Sequence, residues 1–197
     1  VDGGAIYGGF AGTETSRHQR DLETNEAILS GDLNGDDLPD DNPFFRLDNA
    51  YHVVTGSNSD ETAVLDGFTV SSGNAEGASS AAVGGGLYIS EGRPIVRSCT
   101  FVRNSARDGG AVYVFSGAPT FEQCHFTENL ADLGSGEGGA VCNRRSDSVI
   151  VDCTFLTNSA NNGSAIYNGD NSLARIENCE FVDNEHGFGA LTNEDSD

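Results

Sequence analysis

The sequence predicts an all-β chain wound as a parallel β-solenoid, a β-helix with about 25 residues per coil. Three observations predict it. The aliphatic residue after a Gly-Gly-small triplet recurs as Leu87, Val112, Val141, Ile166 and Leu191, in steps of 25, 29, 25 and 25 residues. A Cys-x-Phe element recurs as Cys99/Phe101, Cys124/Phe126, Cys153/Phe155 and Cys179/Phe181, and Asn follows each Phe by three residues, at Asn104, Asn129, Asn158 and Asn184. Short β-branched and aromatic runs are cut by Gly, Pro, Asn and Ser, and no useful stretch has a 3.6-residue apolar period. A fixed period of this size indicates stacked repeats, each with room for three short strands and three turns.

The columns of this repeat have physical roles. Coils stack at the strand spacing of ~4.8 Å, so equivalent residues lie above one another. The aliphatic column points inward. Cys and Phe are two apart, share a face and suit the interior. Three residues before each Cys stand Val96, Phe121, Ile150 and Ile176, also apolar. That odd offset breaks strand alternation, which places a bend just before the Cys. The Asn column fits a turn whose amides hydrogen-bond to their copies above and below. One coil alone would not fold, because its few buried apolar side chains must offset the cost of ordering its backbone.

In chain order, residues 1–83 form irregular coils and a cap with an acidic loop, and residues 84–197 form the regular repeats of one continuous solenoid. Val1–Gly12 reads as a first strand and cap. Thr13–Glu26 is polar, a short helical turn or loop. Ala27–Ser30, Tyr51–Thr55 and Ala63–Val70 read as strands, Gly31–Asn42 as the acidic loop. Ser71–Val83 is a Gly/Ala/Ser-rich insertion, and residues 130–137 carry four extra residues.

Alternating GGA[ILV] and FxxN elements carry a resemblance. Gly3-Gly4-Ala5-Ile6, Gly109-Gly110-Ala111-Val112 and Gly138-Gly139-Ala140-Val141 match the first element, with looser copies at Gly84–Leu87, Gly163–Ile166 and Phe188–Leu191. The four Phe/Asn pairs match the second. Residues 84–197 thereby resemble the polymorphic outer-membrane protein repeats of bacterial surface proteins. The resemblance implies a right-handed parallel β-helix of the pectin-lyase type, exported and often adhesive. The C-terminal membrane barrel common in those proteins has no counterpart in this sequence.

Composition bounds the function. Asp and Glu number 31 against 10 basic residues, all Arg, for a net charge of −21. That charge disfavours nucleic acid and anionic membranes as partners. It suits a secreted protein in salty or calcium-bearing surroundings, or simply the solubility of a filamentous surface, and the resemblance above implies a place at the cell surface. No leader or membrane-spanning segment stands out, and the chain starts at Val1. Four of the five cysteines fall in one column. They suit a buried stack of small thiols, although adjacent coils also bring α-carbons within disulfide range. Cys142 instead takes a place held by Tyr in neighbouring coils.

Three candidate sites follow. Asp32, Asn34, Asp36 and Asp40 have the i, i+2, i+4, i+8 spacing of oxygen ligands in calcium loops, so calcium is the one cofactor expected. Pro43 and Asp37 stand where an EF-hand needs Glu and Gly, so the site is non-standard, or else a solvated acidic turn. Tyr88, Tyr113 and Tyr167 alternate with the inward aliphatics and form an outer aromatic strip. It would contact carbohydrate or protein, or simply stack across coils. For catalysis, Asp66, Asp152, Arg175 and the four histidines do not form a recurring cluster. The expectation is therefore a non-enzymatic extracellular structural or adhesive protein. Its partners would be other copies of itself or a longer parent chain, and glycans or cell-surface proteins. The alternative is a polysaccharide-binding protein, lyase or hydrolase, since fold alone does not decide.

Overall fold

The computed structural model describes residues 3–37, 46, 48–76, 82–132 and 134–194. They wind into a solenoid with three six-stranded parallel sheets. The first sheet stacks Ala5–Tyr7, Val64–Asp66, Ile95–Arg97, Thr120–Glu122, Val149–Val151 and Arg175–Glu177. The second stacks Ile28–Ser30, Thr69–Ser71, Thr100–Val102, His125–Thr127, Thr154–Leu156 and Glu180–Val182. The third stacks Val54–Thr55, Leu87–Ser90, Val112–Phe115, Val141–Arg144, Ile166–Gly169 and Leu191–Glu194. A short sheet of Asn74–Ala75, Ser105–Ala106 and Leu130–Ala131 lies between the second and third in each coil that has one. The aliphatic column is in register as expected, Leu87 against Val112, Val112 against Val141, Val141 against Ile166 and Ile166 against Leu191.

The corners are made by single residues in the left-handed region. Before each Cys stands such a residue: Ser98 (φ 47°), Gln123 (53°), Asp152 (55°) and Asn178 (51°). Arg103, Glu128, Thr157 and Asp183 do the same before each Asn. A β-carbon in this region costs roughly 1–2 kcal/mol per residue. Hydrogen bonds at the corner offset that cost. Each column thiol donates to a carbonyl of the preceding coil, Cys124 to Val96, Cys153 to Phe121 and Cys179 to Ile150, at 3.5–3.7 Å. All five cysteines are free thiols. The column Cys is thus a small apolar residue that also satisfies a corner carbonyl. Gly109 turns with φ 64°, and a β-carbon on Gly110 would lie 2.4 Å from the Gly139 carbonyl oxygen. Close approach of neighbouring coils therefore excludes most side chains at Gly110.

The core is a set of vertical files. Phe101, Phe126, Phe155 and Phe181 stack with ring centroids 5.1, 4.8 and 4.9 Å apart and planes within 8°. The Asn column is a continuous amide ladder. Asn104, Asn129 and Asn158 each donate Nδ2 to the next Oδ1 at 2.9–3.1 Å. Each also donates its backbone N–H to that same oxygen. A second ladder, absent from the sequence reading, runs up the inner side of the third sheet. Ile89 and Val114 give way there to Asn143, Asn168 and Asn193, joined amide to amide at 2.8 Å. Ser148 donates to the Asn143 Oδ1 at 2.7 Å, so this polar core file has partners in place.

The first coils follow the same path with larger excursions. Ala63–Val70 is not one strand. It bends at Gly67 (φ 78°) into Val64–Asp66 and Thr69–Ser71. Gly67 occupies the corner that Ser98 and Gln123 occupy later, and Phe68 takes the place of Cys. The polar stretch 13–26 contains a single turn of 3₁₀ helix at Arg17–Gln19. Gln19 Oε1 accepts the backbone N–H groups of Thr15 and Ser16. This excursion lies across the outside of the first sheet. Asp66, only 2% exposed, is clamped there between Arg20 at 2.6 Å and Arg97 at 2.8 Å.

Candidate functional site

The expected aromatic strip occupies the outer side of the third sheet, and the structure divides it. Tyr88 and Tyr113 stack 6.2 Å apart, and His52 stacks on Tyr88 at 5.0 Å. Cys142 then interrupts the file, since it pairs with Tyr113 below and Tyr167 above. Tyr167 is only 2% exposed, so it does not extend an outer contact strip. The reason is Arg144, whose guanidinium lies 5.0 Å over the Tyr167 ring. Tyr167 also donates its hydroxyl to Glu194 at 2.9 Å. Burial, with that carboxylate, pushes the Tyr167 phenol well up. Burial first of all, with Cys142 and Asp108 nearby and against the pull of Arg144, brings Tyr113 up to about 12. Both stay protonated and act as packing groups.

Arg144 is the hub of the covered end of this face. It pairs with Glu137 and, at 3.2 Å, with Asp170. Glu137 stands in register with Asn162, just after the extra residues of the stretch 130–137, and its pair with Arg144 lies beside Cys142. Partial burial pushes the Glu137 carboxyl up against the opposing pull of Arg144. Burial keeps the Cys142 thiol far above its ordinary value, hence neutral.

The catalytic candidates do not converge. Asp66 is consumed by its two arginines. Asp152 is a corner residue and exposed, and Arg175 pairs with Glu177 at 2.6 Å. His125 faces outward, as its place between two inward residues requires. His186 lies with Asp183, Glu185 and Ser159 in a shallow, open depression of about 370 Å³.

The acidic loop is more compact than its spacing implied. Asp32, Asp36 and Asp37 each bring an oxygen within 4.8 Å of the other two. Asn34 is exposed, and its Oδ1 accepts the Asp36 N–H at 3.2 Å in a local turn. Asp40 lies outside the described residues. Asp37 and Asn49, which the spacing did not single out, complete the cluster, with Asn49 Nδ2 donating to Asp37 Oδ2 at 2.9 Å.

A family profile described as right-handed beta helix region matches residues 48–196, more than half of the chain. The chain belongs to this right-handed β-helix family. Comparison with curated proteins and with solved structures gave no match. Membership in the β-helix family agrees with the stacked parallel sheets. The matched span begins inside the first coil, so the Arg20–Asp66 clamp and the acidic loop lie partly or wholly outside it. Among the described residues, no helix of this β-helix protein is long and apolar enough to cross a membrane.

Proposed function

We propose that this chain is a non-enzymatic structural or adhesive β-helix, displayed outside the cell, whose outermost coils join end to end. One observation carries the reading. The coil of Arg175–Glu177, Glu180–Val182 and Leu191–Glu194 offers the open edge of all three sheets. Phe188 is 78% and Leu191 39% exposed on it, and Ile176, Cys179 and Phe181 are only partly covered. Their counterparts one coil earlier, Ile166, Ile150, Cys153 and Phe155, are buried. The opposite edge of the sheets exposes Ile6 and Ile28. Open strand edges with apolar neighbours favour further pairing, with another copy or with further coils of a longer parent chain. A head-to-tail contact of this kind does not close, so repetition gives a filament.

Two further features support the reading. The carboxylates nearest to arginine are held in ion pairs, at Asp66 and around Arg144, rather than presented in a cleft. The likeness of the repeat to polymorphic outer-membrane protein repeats, with the charge of −21, supports a place on a bacterial surface, where glycans or surface proteins would meet its outer faces.

Sedimentation over a concentration series tests the assembly. The average mass should rise with concentration, and Phe188→Asp with Leu191→Asp should hold it at the monomer value. A monomer at every concentration overturns end-to-end association. Incubation with polyuronates and calcium, followed by ultraviolet absorbance, tests the non-enzymatic half. Accumulation of unsaturated products would overturn it.

A further inference from the structure

We infer that Asp32, Asp36, Asp37 and Asn49 form a calcium site at the corner of the first coil, the ion bridging the acidic loop to the solenoid. The register places the loop. Leu29 pairs with Val70, and Val70 with Phe101. Three residues beyond these stand Asp32, Gly73 and Asn104, so Asp32 lies where the first coil would turn, and Ala50 resumes the path, its carbonyl accepting the Asn74 N–H at 2.9 Å. The polypeptide leaves the regular path at Asp32. Asp32 Oδ1 accepts the Gly35 N–H at 2.7 Å, and its Oδ2 accepts the Asp37 N–H at 3.3 Å. These bonds fold the loop back on itself and bring the carboxylates of Asp36 and Asp37 beside that of Asp32.

The cluster by itself is only crowded negative charge. The unpartnered oxygens around it point to a ligand. Asn49 is 6% exposed. Its amide orientation is forced, because both of its close neighbours, Asp37 Oδ2 at 2.9 Å and the Ser72 carbonyl at 2.8 Å, are acceptors that need the Nδ2 donor. Asn49 Oδ1, on the same planar carboxamide, is then left buried beside Asp37 with no partner. Asp36 Oδ1 and Asp37 Oδ1 are buried and unpartnered as well. A buried oxygen left without a donor costs about 1–3 kcal/mol, more when charged. Three such oxygens in one corner, beside a third carboxylate, are satisfied together by one hard cation. Among the described residues no ion pair engages Asp32, Asp36 or Asp37. An all-oxygen set of carboxylates and one amide carbonyl on an irregular loop suits calcium, whose coordination is flexible, over magnesium, which demands near-ideal octahedral geometry. Water supplies the remaining positions.

Calorimetric titration of the full chain, stripped with a chelator, tests this with calcium chloride and magnesium chloride as probes. The expected result is one calcium per chain with magnesium about 10-fold weaker or more. Asp36→Asn removes a charge at an oxygen that has no structural partner, and should weaken calcium about 10-fold or more. Calcium should also shift the amide resonances of Gly35, Asp36, Asp37 and Asn49 in the unmodified protein, a readout independent of how any variant folds. No calcium binding, equal binding of magnesium, unchanged affinity in Asp36→Asn, or shifts confined to other acidic residues would each overturn the site. The titration is run on the monomer, so its failure and the failure of end-to-end assembly are separable.

Discussion

Asn129→Ala is the sharpest perturbation of the solenoid. Asn129 is 1% exposed and its side chain forms four hydrogen bonds. Its Oδ1 accepts the Asn104 N–H at 3.0 Å and Asn104 Nδ2 at 3.1 Å. Its Nδ2 donates to the Phe101 carbonyl at 2.9 Å and to Asn158 Oδ1 at 2.9 Å. At a net ~1 kcal/mol each, their loss comes to about 4 kcal/mol. That is a large fraction of the ~5–15 kcal/mol that stabilises a typical domain. Asn129→Asp should be worse at neutral pH. A carboxylate keeps the acceptor role but turns a buried charge toward two acceptors. Its folded-state pKa is therefore raised, so stability recovers as pH falls and is lost as pH rises. Glu128→Ala is the control: it removes only an exposed pair with Arg103, worth about 0–1 kcal/mol. Urea midpoints followed by far-ultraviolet circular dichroism measure all three. If Asn129→Ala costs under about 1 kcal/mol, or no more than Glu128→Ala, the ladder is not what holds neighbouring coils together.

Two more outcomes follow from the buried groups. Asp66→Asn leaves Arg20 and Arg97 facing a neutral amide at a 2%-exposed position. A loss of about 3–5 kcal/mol is expected, with protease cleavage appearing first in the excursion around Arg17–Gln19, and an intact excursion would refute the clamp. Burial brings the Cys99 thiol up from 9.0 to about 11. Below pH 9 both folded and unfolded thiols are protonated and the stability is fully present. Above it the unfolded thiol ionises first, so about 3 kcal/mol is lost as pH rises toward 11. A urea midpoint for Cys99→Ala that falls as steeply over that range as the wild type would refute the assignment.

Much of the fold was legible because a solenoid repeats its environment. The Phe and Asn files could be read as files since each coil asks the same thing of the same position. The Asn143–Asn168–Asn193 ladder has the same 25-residue step as its aliphatic neighbours. It escaped notice because it starts midway, where Val114 and Ile89 precede it. The break at Gly67 was equally available: Gly67-Phe68 stands where Ser98-Cys99 and Gln123-Cys124 stand later, but without the Cys the corner had no label. Tyr167 could not have been placed from its column, since its cover comes from Arg144 and Glu194 on the two adjacent coils.

The sequence by itself determined the winding, the inward and outward faces, and the corners before each Cys and Asn. These depend on periodicity and on what each residue type tolerates locally, and a period can be counted. Only the tertiary structure decided which charges are buried and which oxygens lack a partner. Asp66 meets Arg20 across 46 residues and Asn49 reaches Ser72 across 23. The irregular excursions of the first coils make those contacts, and no period governs where an excursion folds back.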